Sequence, residues 1–206
     1  HVQAGDAALL HSGWPRKSLV EVWRGQASAE WQLLRAVLTN DDNRVMVPLN
    51  PPTRPFVPAL IQAGANLDRL VIVEAAQKSD FMMAYLSLMR TSACAVVVAW
   101  QPKQCLSYTE LRKLHLESLE ADGLCFLIRP ESSLQQSSPA ALRVRLNVHP
   151  DQLVVSVVST GMLSAEVVPL PLPRAWQGQF LYHELNRPAV KTPVRPKIKR
   201  GHLRSV

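Results

Sequence analysis

Residues 19–38 hold the parts of a phosphate-binding turn with most of its chemistry replaced. Leu19-Val20-Glu21-Val22-Trp23 reads as a buried strand, Arg24-Gly25-Gln26-Ala27-Ser28-Ala29 as a short loop, and Glu30–Leu38 as helical. A working loop at such a junction is Gly-x-x-x-x-Gly-Lys followed by Ser or Thr. Its backbone N–H groups cradle phosphates, the lysine reaches the outer oxygens, and the hydroxyl holds magnesium. Gly25 stands alone here, with no second glycine, lysine or hydroxyl at the required spacing, and Glu30 sits where a phosphate would want a cation. The pattern predicts a fold kept and ATP hydrolysis lost, and so a protein that works by binding partners.

Other reactive constellations find little support. The histidines are scattered, and His183-Glu184 lacks the second histidine of a zinc-protease helix. No Gly-x-Ser-x-Gly elbow occurs. Cys94, Cys105 and Cys125 have no Cys-x-x-Cys spacing and no histidine at ligand distance, which predicts free thiols, buried in the apolar runs around Cys94 and Cys125. Glu110, Glu117 and Glu120 read as a solvated helix face. No catalytic, cofactor-binding or metal-ligating residue is assigned. Ala99-Trp100 closes the most apolar strand, and the tryptophan there reads either as a packing residue or as an exposed contact for a partner.

The elements that would position these residues alternate. Strands are expected near Leu19–Trp23, Val45–Leu49, Leu70–Val73, Ala95–Trp100 and Leu124–Ile128. Helices are expected near Ala29–Leu38, at Val57–Ala63, from Ser79 or Asp80 to Arg90, and from Ser107 or Thr109 to about Ala121. Short apolar strands separated by helices predict an α/β fold with a mostly parallel sheet. Beyond residue 140 the pattern changes. Leu142, Val144, Leu146 and Val148 alternate with Arg143, Arg145 and Asn147, and Leu153–Val158 returns after a turn, which predicts an antiparallel hairpin at the sheet's edge. Glu131–Ser138 reads as a polar loop, and Pro169-Leu170-Pro171-Leu172-Pro173 as an extended linker that cannot continue a ladder.

Charge is placed unevenly. The net charge of +7 belongs entirely to the last twenty residues, where Arg187, Lys191, Arg195, Lys197, Lys199, Arg200 and Arg204 have no acidic neighbour. With Pro188, Pro193 and Pro196 between them, these cations predict a tail that is disordered when free and binds an acidic groove or phosphates. Arg16, Lys17, Arg24, Arg35, Arg44, Arg54, Arg143 and Arg145 are candidates to extend such a surface. The expected organisation is a core over 1–168, a Pro-rich linker and short helix over 169–186, and the basic tail over 187–206. Trp176, Phe180, Leu181, Arg187, Lys191, Arg195, Lys197, Lys199 and Arg200 are the expected partner-binding residues. No run approaches the roughly 18 apolar residues of a membrane span, no basic-then-apolar leader is visible, and a cytoplasmic location is expected.

Gly13-Trp14-Pro15-Arg16-Lys17-Ser18-Leu19-Val20-Glu21-Val22 resembles the entry to the ATPase core of RecA. Asn66–Val73 and Leu88–Val98 resemble later stretches of that core, in the same order over roughly residues 12–160. The phosphate-loop residues, the catalytic glutamate after the second strand (here Pro48-Leu49-Asn50) and the magnesium-holding aspartate all depart from RecA. That combination is similar to the ImuA family of RecA-like accessory proteins and to the related SulA cell-division inhibitors, through Gly13-Trp14-Pro15-Arg16, Ala99-Trp100 and Gly123–Pro130. The extension beyond Pro130, ending in a basic tail, resembles ImuA. The resemblance implies a RecA-like fold and a non-catalytic role in SOS-induced, error-prone translesion DNA synthesis. The implied partners are ImuB and RecA, an error-prone C-family DNA polymerase served indirectly, and DNA itself as an open question. The alternative it implies is SulA-like inhibition of FtsZ polymerisation.

Overall fold

The computed structural model describes residues 14–24, 43–52, 57, 61, 66–148, 152–159 and 162–171. Its strands are β1 (Leu19–Arg24), β2 (Val45–Leu49), β3 (Cys94–Trp100), β4 (Leu124–Pro130), β5 (Leu142–Val148), β6 (Gln152–Ser159) and β7 (Met162–Pro171). They form one sheet in the order β2-β3-β4-β1-β5-β6-β7. The first five in that order are parallel, and β6 and β7 return antiparallel. This is the α/β, mostly parallel architecture expected from the alternation of apolar runs.

Two helices cover one face. In α1 (Lys78–Arg90) Phe81, Tyr85 and Met89 recur every four residues and are buried; in α2 (Tyr108–Ser118) Leu111 and Leu114 are. They pack on Leu19, Val47, Leu49, Val97, Ala99, Cys125 and Leu127, which point to that face from the strands. Burying each large apolar side chain contributes about 1.5–3 kcal/mol. The opposite face gathers Trp14, Val20, Val22, Val96, Val98, Trp100, Phe126, Ile128, Val144 and Leu146. With apolar residues on both faces, β3 and β4 read as continuous hydrophobic runs. No described helix is long and apolar enough to cross a membrane.

The start of α2 follows its sequence signal. Ser107 Oγ accepts from the Glu110 N–H at 3.3 Å, and the Glu110 carboxylate accepts from the Ser107 N–H at 2.7 Å, a reciprocal cap that satisfies two otherwise orphaned donors. By contrast α1 begins at Lys78, one residue before the expected caps, and its N-cap Gln77 makes no side-chain bond. The ion pair Lys78–Glu110 at 2.8 Å ties the first turn of α1 to that of α2. Arg90 and Glu117, joined at 2.8 Å, tie the helices again at the other end of α1. Glu110 and Glu117 therefore form helix-to-helix ties rather than a purely solvated face. The Arg90 hydrogen bond holds the Glu117 carboxyl below its ordinary value. Its contribution is present above the ordinary carboxylate range and fades as pH falls through the depressed value.

Gly123 makes the turn into β4. A Cβ there would stand 2.5 Å from the Cys94 carbonyl oxygen and 3.0 Å from that of Ala95. Both are backbone atoms at the start of β3 and cannot swing aside. Gly123→Ala should therefore destabilise the protein by about 1–3 kcal/mol, toward the upper end of the overpacking range, read as a lower urea midpoint with unchanged slope.

Two expectations need correction. Leu70–Val73 is not a full strand: it meets β2 only at the bridges Met46–Leu70 and Leu49–Val73. Proline is the reason. Val71 N–H donates to the Met46 carbonyl at 3.0 Å and Val73 N–H to that of Pro48 at 2.9 Å. The intervening bond would need an N–H at Pro48, and there is none. Secondly, the ladder continues through the expected linker, with Val154 opposite Pro169, Leu153 opposite Leu170 and Gln152 opposite Pro171. The two prolines are two residues apart, so their nitrogens face the same side. β7 is the last strand of its sheet, and on its open side a missing donor costs nothing. The expected hairpin is thus part of a three-stranded antiparallel extension. The expected helix at 29–38, most of that at 57–63, and everything beyond residue 171 lie outside the described residues.

Candidate functional site

In parallel α/β sheets, ligands gather at the carboxyl ends of the strands, where the connections diverge. Here that rim runs from Leu49-Asn50 through Trp100-Gln101, Arg129-Pro130 and Trp23-Arg24 to Arg145-Leu146. Each polar side chain along it that the structure describes is engaged by the protein itself.

Asn50 takes a left-handed backbone conformation, φ 56°, which asparagine tolerates better than most residues. The conformation turns its amide onto the backbone of Ala75. Nδ2 donates to the Ala75 carbonyl at 2.9 Å, and Oδ1 accepts from the Ala75 N–H at 2.6 Å. The side chain acts as a surrogate peptide group, continuing the pairing begun by Asn50 N–H to Val73 O at 2.8 Å.

Trp100 is 4% exposed and packed with Val98, Phe126 and Ile128. Of the two readings of this strand end, packing is the one observed. Gln101 N–H donates to the Ile128 carbonyl at 2.9 Å, and its Oε1 accepts from Arg129 Nε, also at 2.9 Å.

Between β1 and β4 lies a feature that pattern reading passed over. Glu21 and Arg129 are both fully buried, and Arg129 Nη1 lies 3.3 Å from each oxygen of the Glu21 carboxylate. Ser138 Oγ donates to Glu21 at 2.6 Å. Arg143 Nε approaches the same carboxylate at 3.6 Å, so one anion faces two guanidinium groups. Arg129 Nη2 donates to Gln136 Oε1, and Gln136 Nε2 donates to the Leu106 carbonyl at 2.6 Å. Trp23 stands in the middle. The Arg143 guanidinium carbon lies 4.6 Å from the indole centroid and that of Arg129 5.7 Å, within cation–π range. The indole N–H donates to Ser133 Oγ at 2.9 Å.

Together these groups hold down residues 131–141, the crossover from β4 over β1 to β5. A crossover between parallel strands is usually a helix. This one has only a single 3-10 turn at Glu131–Ser133 and binds the sheet through polar side chains. Arg143 adds hydrogen bonds at 3.1 Å to the carbonyls of Leu134 and Gln136, and Arg145 pairs with Glu131 at 2.6 Å. Arg143 and Arg145, expected as part of a basic surface, are instead clamps on this strap. Arg16 and Arg44 also reach protein carbonyls, those of Asp122 at 3.4 Å and Cys94 at 3.5 Å. Arg35 and Arg54 lie outside the described residues, as do Trp176, Phe180, Leu181, Arg187, Lys191, Arg195, Lys197, Lys199 and Arg200. The loop at 25–30 does too, and of Arg24 only the backbone is described.

The sequence did carry a signal for the buried network. Glu21 interrupts an apolar strand and Arg129 closes another, and a buried charge needs a partner. What it lacked was the adjacency of β1 and β4, whose pair is 108 residues apart in the chain.

Chemically, the rim offers bound amides, bound guanidinium groups and one enclosed carboxylate. Among the described residues no group of three or more His, Cys, Asp or Glu side chains could hold a metal ion. The thiols are free; Cys94 and Cys125 are buried, while Cys105 is exposed. Burial, with a smaller contribution from Cys94 nearby, pushes the Cys125 thiol up to about 12. Burial raises Cys94 as well, partly offset by Arg44. Because the thiolate is the reactive form, a disulfide reagent at pH 8 should label Cys105 in the folded protein, with Cys94 and Cys125 reacting only on unfolding; mass spectrometry of the labelled peptides reads the sites.

No protein-family model matches the chain, and no curated protein matches it either.

Proposed function

We propose that this chain is a non-catalytic accessory protein of SOS-induced, error-prone translesion DNA synthesis, ImuA-like in kind. It acts by binding ImuB and RecA and through them serves a C-family error-prone DNA polymerase in the cytoplasm. The observation that carries the reading is the fate of the strand-end positions. Where the RecA resemblance would set a catalytic glutamate after β2, Asn50 is bonded to the backbone of Ala75. Where it would set a magnesium-holding aspartate at the end of β3, Trp100 is core and Gln101 is bonded to Arg129. These positions build structure, and the chain lacks the phosphate-loop lysine and hydroxyl. A body of this kind acts through its surfaces, and fold analogy is the warrant for naming the partners.

Co-purification of the full chain with RecA and with ImuB, against a chain ending at Arg174, tests the reading. Retention by the full chain and loss on shortening are expected if Trp176, Phe180, Leu181 and the Lys/Arg cluster make a partner contact. Equal retention moves the contact into the body, and no retention of either partner sinks the reading. Heating with and without ATP and magnesium should give the same midpoint. FtsZ sedimentation should be unchanged by the protein, whereas a SulA-like inhibitor would reduce the polymer recovered.

A further inference from the structure

The two edges of the sheet are finished differently. At one, β7 carries Pro169 and Pro171, which deny donors to any added strand. At the other, Leu70-Val71-Ile72-Val73 contains no proline, no lysine and no bulge. The bonds to Met46 and Pro48 turn Val71 and Val73 inward, so the N–H and C=O of the alternate residue Ile72 face away from the sheet. Neither group has a backbone partner among the described residues. Val71 and Ile72 are 46% and 41% exposed, large values for adjacent β-branched residues on an open ladder. Exposed acids flank them, Asp68 before and Glu74 after, and neither is in an ion pair among the described residues. An edge with such a carboxylate near each end fits an extended segment that carries several cations.

One such segment is in this chain. Val194-Arg195-Pro196-Lys197-Ile198-Lys199-Arg200 has seven residues, as does Asp68–Glu74. Arg195, Lys197 and Lys199 share one parity, and Pro196 and Ile198 the other. If the basic residues turn their backbone to the ladder, the missing N–H of Pro196 falls on the solvent side. Residues 172–193 supply the reach: 22 residues extend to about 70 Å, against about 35 Å across the sheet from β7 to the open edge.

We infer that the basic C-terminal segment Val194–Arg200 docks in cis as an added strand on the edge Leu70–Glu74, held by backbone bonds at Ile72 and by pairing of its cations with Asp68 and Glu74. Tethering favours the same molecule's tail over a neighbour's, because a linker of this length keeps it at high local concentration. The inference needs only this edge and these charges, so it stands or falls separately from the proposed function.

Amide exchange on the full-length chain, followed residue by residue with NMR, is the test. The Ile72 amide should exchange at least about tenfold more slowly than an unstructured amide. Lys197→Glu/Lys199→Glu should remove that protection while Val97 and Phe126 keep theirs. Adding Asp68→Lys/Glu74→Lys to that variant should restore it. Free exchange at Ile72 in the unaltered chain overturns the inference, as does protection indifferent to the tail charges or unrestored by the swap. A dimeric mass by light scattering at the same concentration, with protection lost on dilution, assigns the edge to a second copy and overturns it too.

Discussion

Glu21→Gln should cost about 4–5 kcal/mol, the upper end of the range for breaking a buried pair and a large fraction of the roughly 5–15 kcal/mol that holds a typical domain together. The glutamine keeps the shape and removes the only anion that faces Arg129 and Arg143 among the described residues. Two guanidinium groups then share an enclosed site with no carboxylate among the described residues to balance them. Arg129→Gln removes the other partner, yet leaves Glu21 facing Arg143 at 3.6 Å, so its cost should lie nearer 3 kcal/mol. The ordering is the discriminating result: if urea denaturation finds Arg129→Gln the more damaging, the two-cation picture of the site is wrong. Replacing the pair together, Glu21→Leu with Arg129→Met, should be milder than Glu21→Gln, because hydrophobic isosteres often match a buried ion pair.

Trp23→Ala should lose about 3–5 kcal/mol, the usual cost of deleting a large buried aromatic. The loss is not only one of volume. The indole is fully buried, lies under Arg143 and donates to Ser133. Its removal releases the strap at both points. Amides of Leu134 and Gln136, whose N–H groups bond within the strap, should exchange faster relative to those of β3. Trp23→Phe keeps most of the packing and loses the Ser133 bond, so it should cost about 1–2 kcal/mol and loosen the strap less. Uniform acceleration across the whole sheet would show that Trp23 supports the core in general rather than this crossover in particular.

Much of the fold was legible because local pattern and tertiary need agree. β3 reads as a strand from Ala95 to Trp100 because both its faces are covered, and α2 starts where Ser107 and Glu110 can cap each other. Reading failed where a non-local fact decides. Leu70–Val73 has strand composition, but its neighbour holds a proline at the one position that would have closed the ladder. Pro169-Leu170-Pro171 reads as a break because nothing local says that one side of β7 is open. Arg143 and Arg145 alternate like a solvated face, yet they point to a side of the sheet where a loop lies in place of a helix. The absence of the phosphate-loop residues was plain in the sequence. That Asn50 and Gln101 serve the backbone and Arg129 instead was not, since each bond depends on a residue that only the fold brings near.

Placing β1 between β4 and β5 has a consequence for synthesis of the chain. Leu19-Val20-Glu21-Val22-Trp23 leaves the ribosome well before either neighbour that will shelter it, and a short hydrophobic β-prone run without a charge is an aggregation hazard while it waits. Glu21 breaks that run. In the nascent chain it is a hydrated anion that keeps the segment soluble, and only when Arg129 emerges, 108 residues later, can it be drawn inside. The same carboxylate thus guards the strand before folding and locks it afterwards.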